Sequence, residues 1–110
     1  MILALDLSTR KTGYCAGAGE CVPTADAFVL PQTGEDIGQM LALLDDNLSA
    51  LLERFKPSVV VYEAPILPQG PGRSTLLIRR KLFSLGSHVE FVCYRRGIRC
   101  GEETVKAIKK

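Results

Sequence analysis

Two carboxylates stand where apolar runs end. Asp6 closes the run I-L-A-L-D, and Glu63 closes V-V-V-Y-E. In α/β sheets, ligands collect outside the carboxyl ends of parallel strands. Adjacent strands lie about 5 Å apart, so two acids placed this way converge on one cation. Oxygen donors with no His or Cys beside them favour Mg²⁺ or Mn²⁺ over zinc. The chemistry such a site serves is phosphodiester hydrolysis, in which one ion generates and orients hydroxide and a second stabilises the leaving oxygen. Holding two ions takes several clustered carboxylates; two acids hold one ion weakly. The plain alternative is that both acids merely mark strand ends.

The elements that position these acids follow from the pattern. Residues 1–7 read as a strand ending in a carboxylate, residues 13–18 as a short strand after the turn at 8–12, and residues 26–30 as a third strand stopped by Pro31. Three short strands with tight connections predict an antiparallel meander. From residue 34 to 55 the period becomes helical, with Ile37, Met40, Leu41, Leu44, Leu48, Leu51, Leu52 and Phe55 on one stripe. Thr33 is a candidate N-cap, with Glu35 and Asp36 in the first turn. Residues 58–62 form a β-branched run, expected to be buried on both faces of a parallel sheet. Residues 64–73 hold three prolines and two glycines and read as a functional loop. The period over 74–94 is helical again, through Ile78, Leu82, Leu85, Val89 and Val92, although Gly86 weakens one unbroken helix. Gly97 is the expected stop. Residues 98–102 read as a last strand, and Thr104 as the cap of a final helix. A crossover from strand one to residues 59–62 makes those strands parallel neighbours; the order of the whole sheet stays open.

Composition is that of a single globular domain: 110 residues, 46% hydrophobic, 24% charged and a net charge of +2. No apolar run is long enough to cross a membrane, and the start lacks the basic region of a signal peptide, so a cytoplasmic protein is expected. Most of the 14 Lys and Arg fall after residue 72, a surface suited either to phosphates or to plain solvation. Arg10 and Lys11 beside Asp6, and Arg73, Arg79 and Arg80 further on, are the candidate nucleic-acid contacts. Ser8, Thr9 and Thr12 offer hydroxyls to phosphate or simply form the turn. Cys15, Cys21, Cys93 and Cys100 lack metal-site spacing and are expected as reduced thiols. His88 reads as helix surface or packing, and Tyr62, one residue before Glu63, as core.

The two acid-bearing segments carry a resemblance. Residues 2–13 read I-L-A-L-D-L-S-T-R-K-T-G, and residues 57–65 read P-S-V-V-V-Y-E-A-P. They resemble the first and second motifs of the RuvC-type Holliday junction resolvases, and the E-A-P form resembles the phage and prophage branch. The separation of Asp6 and Glu63 suits that family, and E-T-V-K at residues 103–106 looks like the approach to its last helix. The resemblance implies a ribonuclease-H-like α/β fold: three antiparallel strands extended by parallel strands, with helices on both faces. It implies a Mg²⁺- or Mn²⁺-dependent endonuclease, usually a homodimer, acting on branched DNA, with Asp6 and Glu63 as metal ligands. The family draws two further acidic ligands from its last helix. The sequence reaches Lys110 before a position for them, so one domain over 1–110 with an incomplete last helix is expected. Glu102 and Glu103 are the late acids available as substitutes.

Two other readings compete. One is a nucleic-acid-binding remnant of this fold that cuts nothing. The other is a nucleotide-binding protein of the actin and sugar-kinase type, which shares the fold and begins with a similar D-x-S-T…G loop. That type requires a second glycine-rich phosphate motif, which the sequence lacks.

Overall fold

The computed structural model describes residues 1–17, 24–30, 36–63 and 67–103. The element order is β1 (Ile2–Asp6), β2 (Lys11–Gly17), β3 (Thr24–Val29), α1 (Ile37–Phe55), β4 (Val59–Glu63), α2 (Arg73–Arg95) and β5 (Arg99–Glu103). The strands form one sheet in the order β3-β2-β1-β4-β5. β1, β2 and β3 make the expected antiparallel meander, and β4 and β5 extend it in parallel.

This topology decides where the helices go. The crossovers β3-α1-β4 and β4-α2-β5 both join parallel strands and both move the same way across the sheet. Right-handed connections therefore put both helices on one face. The buried residues agree. Leu3, Leu5, Val60 and Tyr62 are buried, and their register partners Tyr14, Ala16 and Cys100 share their face. Met40, Leu44, Leu48 and Leu52 of α1 and Leu85, Val89 and Cys93 of α2 join them in one core. Tyr14 touches Phe55 of α1, and Tyr62 touches Gly86 of α2. On the other face Ile2 and Val29 are exposed. Helices on both faces were expected; among the described residues they cover one. The final helix expected after Thr104 lies outside the described residues. For the same reason Val59 and Val61 are half-buried rather than buried, although β4 is an interior strand.

Helix ends differ in detail from the sequence reading. The cap of α1 is Asp36, which accepts the Gln39 N–H at 2.9 Å, a bond contributing about 1 kcal/mol. Thr33, the expected cap, lies outside the described residues. α1 ends at Lys56, left-handed at φ 46°, ahead of Pro57. α2 runs through Gly86 without a break and ends as expected at Gly97, φ +69°. There the Gly97 N–H bonds the Tyr94 carbonyl at 3.1 Å and the Ile98 N–H bonds the Cys93 carbonyl at 2.9 Å, the paired bonds of a Schellman turn. At the same end of the sheet, Ser58 donates its backbone N–H and its hydroxyl to the Met1 carbonyl. That contact starts the β1–β4 register at Ile2 and Val59.

Candidate functional site: two carboxylates on the open face of the sheet

The β1–β4 register carries Asp6 and Glu63 to neighbouring positions. Leu5 pairs with Tyr62 in parallel, so the next residue of each strand is an acid. Leu5 and Tyr62 point into the core. Strand alternation therefore sends Asp6 and Glu63 together to the other face, where Asp6 is exposed and Glu63 half-buried. Both line an open groove of about 270 Å³, together with Ala4, Gly13 and Cys15. Gly13 pairs with Asp6 across β2, and a Cβ there would lie 3.7 Å from the Asp6 Cβ, so the floor beside the acid is low. Lys11 has the same strand parity as Gly13 and is exposed on the same face.

The donor set fits a hard divalent cation in kind: two carboxylates on adjacent strands, reachable from solvent. Among the described residues no group of three or more Asp, Glu, His or Cys gathers as a metal site. Asp26 borders the groove and went unnoticed in the sequence, where the available signal was an acid inside the otherwise apolar strand T-A-D-A-F-V. It pairs with Tyr14, which places it toward the helix face, and its carboxylate accepts the Ala27 N–H at 2.8 Å. Glu102 pairs with Tyr62 and so leaves the carboxylate face; it lines a cavity of about 100 Å³ with Tyr62, Gly86 and Glu90. Glu103 is the register partner of Glu63.

That small cavity supports the site from behind. Tyr62 is buried, as expected; burial first, then Glu90 in the same cavity, pushes the phenol above its ordinary value. Its ring packs closely on Gly86, which ties the end of β4 to α2 one residue before Glu63.

Other sequence candidates fall in different places. Thr12 does not sit in a turn facing phosphate. It lies in β2 on the helix face, fully buried, and its hydroxyl has no hydrogen-bond partner. The strand begins at Lys11 rather than Gly13, which turns Thr12 inward. Ser8 does serve its turn, with its hydroxyl accepting the Arg10 N–H at 3.4 Å. The Arg10 carbonyl accepts the Leu30 N–H at 2.7 Å, while the residue itself is exposed. Arg73 opens α2 and is exposed. Arg79 is half-buried and donates from Nε to the Pro68 carbonyl at 3.0 Å, holding the loop that precedes α2. Arg80 lines a groove between α1 and α2 with Leu41, Phe83, His88 and Phe91, away from the two acids. His88 bonds Asp45 of α1 at 2.8 Å and so is a packing residue, as its position suggested.

No family model matches the chain, and no curated protein matches it. Solved structures do. A structure of RuvC from Thermus thermophilus superposes with a TM-score of 0.65 at 14% identity, over 94% of this chain and 63% of that one. This chain has the ribonuclease-H-like fold of RuvC. T. thermophilus RuvC in complex with a Holliday junction substrate gives a TM-score of 0.69 at 14% identity, over 98% of this chain and 68% of that chain. The yeast mitochondrial Holliday junction resolvase gives 0.60 at 17% identity, over 94% of this chain and 49% of the other. The chain thus spans between half and about two-thirds of the length of these RuvC-like proteins. Among the described residues no helix is long and apolar enough to cross a membrane.

Proposed function

We propose that this protein is a metal-dependent endonuclease of the RuvC type, acting on phosphodiesters of branched DNA such as Holliday junctions. The observation that carries this reading is the register that sets Asp6 beside Glu63 on the open face of a RuvC-like sheet. Asp6 and Glu63 would hold Mg²⁺ or Mn²⁺ through their carboxylate oxygens. The chemistry the ion supplies when bound is activation of a water nucleophile and neutralisation of charge on the phosphate. The protein's own part is positional. β1 and β4, locked by their shared register and by Tyr62 against α2, present both carboxylates from rigid strands. Gly13 keeps the groove shallow enough for a phosphate backbone. Lys11 shares the face, Arg10 stands in the adjoining turn, and Arg73 opens α2, all suited to phosphate oxygens. Arg79 acts on the same surface through the 67–72 loop, whereas Arg80, in the α1–α2 groove away from the acids, is not assigned to the substrate.

The partner in solution is a second copy of the chain. α2 exposes Leu76, Phe83, Phe91 and Tyr94, and Phe83 and Phe91 flank the small residues Ser84 and Ser87. A two-fold axis near Ser87 sets Phe83 of one copy against Phe91 of the other, so the stripe is complementary to itself.

One observation favours a second reading. Among the described residues no third acid gathers with these two as a metal site, which suits a fold that binds branched DNA and leaves it intact. The test is incubation of a four-way junction with the protein in Mg²⁺ and in Mn²⁺, read by gel mobility and strand cleavage. The nuclease reading expects cleavage in the wild type and loss of cleavage with retained binding in Asp6→Asn. Cleavage that survives Asp6→Asn refutes the site, and salt-dependent binding with no cleavage in either metal supports the binding remnant.

A further inference from the structure

Cys93 and Cys100 meet where α2 turns into β5. Cys93 is fully buried on the inner face of α2, in the last turn. Its carbonyl accepts the Ile98 N–H, and left-handed Gly97 reverses the chain so that β5 runs back beneath the helix end. Cys100 pairs with Val60, which turns it toward the helices, and it packs half-buried on the core that contains Cys93. Cys100 holds the Cys93 thiol below its ordinary value against the opposing effect of burial, while Cys93 and burial push Cys100 up. Neither thiol belongs to the carboxylate site, and Cys15, the remaining free thiol among the described residues, has its strand parity on the opposite face of the sheet.

We propose that Cys93 and Cys100 form an oxidisable dithiol that hydrogen peroxide closes to an intramolecular disulfide, joining the end of α2 to the edge strand β5. Two cysteines that face the same core from either side of a tight turn need little backbone movement to bond. Peroxide is small enough to reach a buried sulfur past the half-buried Cys100. The Cys93 thiolate attacks one peroxide oxygen, the O–O bond breaks, and hydroxide leaves with a proton as water. The product is a sulfenic acid on Cys93. Cys100 Sγ then attacks that sulfur and displaces hydroxide, which takes the Cys100 proton as a second water. Two thiols lose two electrons, and one peroxide gains them. The proposal is independent of the nuclease reading.

The experiment uses the whole chain. It is treated with hydrogen peroxide, alkylated under denaturing conditions and digested with trypsin. Arg95, Arg96 and Arg99 separate the two cysteines into different peptides. The expected result is one species joining the Cys93 and Cys100 peptides with the loss of two hydrogens, released by dithiothreitol and missing from Cys100→Ser. The Cys15 peptide stays outside that species. Full alkylation of Cys93 and Cys100 after peroxide has oxidised Cys15 overturns the proposal. So does their conversion to sulfinic acids without a joined peptide.

Discussion

Tyr62 lies so close to Gly86 that a Cβ on the glycine would fall 3.1 Å from Cε2 of its ring. Both residues are buried, so the ring has little room to retreat. Gly86→Ala gains about 1 kcal/mol of helix propensity and meets an overpacking cost of about 1–3 kcal/mol. The expected net is a loss of about 1 kcal/mol in urea unfolding. In a Tyr62→Ala background the same change meets empty space and is expected to stabilise. A Gly86→Ala effect of equal sign in both backgrounds would show that the ring is not what the glycine accommodates.

Thr12 is a second test of packing. Its hydroxyl is buried without a partner, which costs stability that a methyl group of similar size does not. Thr12→Val is expected to raise stability by about 1 kcal/mol and to leave DNA binding unchanged. Weaker DNA binding in this variant would return Thr12 to the substrate surface.

The placement of these residues shows what the sequence made legible. The strand-end positions of Asp6 and Glu63 were readable because each closes a near-pure apolar run, and strand alternation fixes their shared face once the neighbours are core. Tyr62 followed by the same alternation. Thr12 was misread because its face depends on where β2 begins, and a start at Lys11 instead of Gly13 moves the residue from turn to strand. Asp36 was placed inside α1 when it caps it, since several polar residues in a row can each serve as the cap. The shared face of α1 and α2 required strand order, which no local pattern encodes. Asp26 shows the same limit: only the pairing of β2 with β3 brings it to the edge of the groove and turns it away from the acids.

Lys11 and Arg10 are assigned to phosphate, so their effect should be electrostatic and indifferent to sequence. Lys11→Ala is expected to weaken junction binding and to lower the slope of log K against log salt by about 1. The measurement is fluorescence anisotropy across a salt series. An unchanged slope would remove Lys11 from the interface.

The exposed stripe on α2 predicts the oligomeric state. Phe91→Glu places a charge where the other copy packs, and sedimentation velocity is expected to show a dimer in the wild type and a monomer in the variant. The interior contacts of α2 lie on its other side, so the fold should persist by circular dichroism. A wild-type protein that is monomeric at concentrations well above those of the binding assays would contradict the dimer.

A nuclease of this type requires Asp6 and Glu63 to act as one metal site. Titration of Mn²⁺ followed by electron paramagnetic resonance measures this without reference to any substrate. The wild type is expected to bind Mn²⁺, with Mg²⁺ competing, and Asp6→Asn and Glu63→Gln are each expected to lose that binding while keeping the wild-type fold. Mn²⁺ binding that is unchanged in either variant would contradict it.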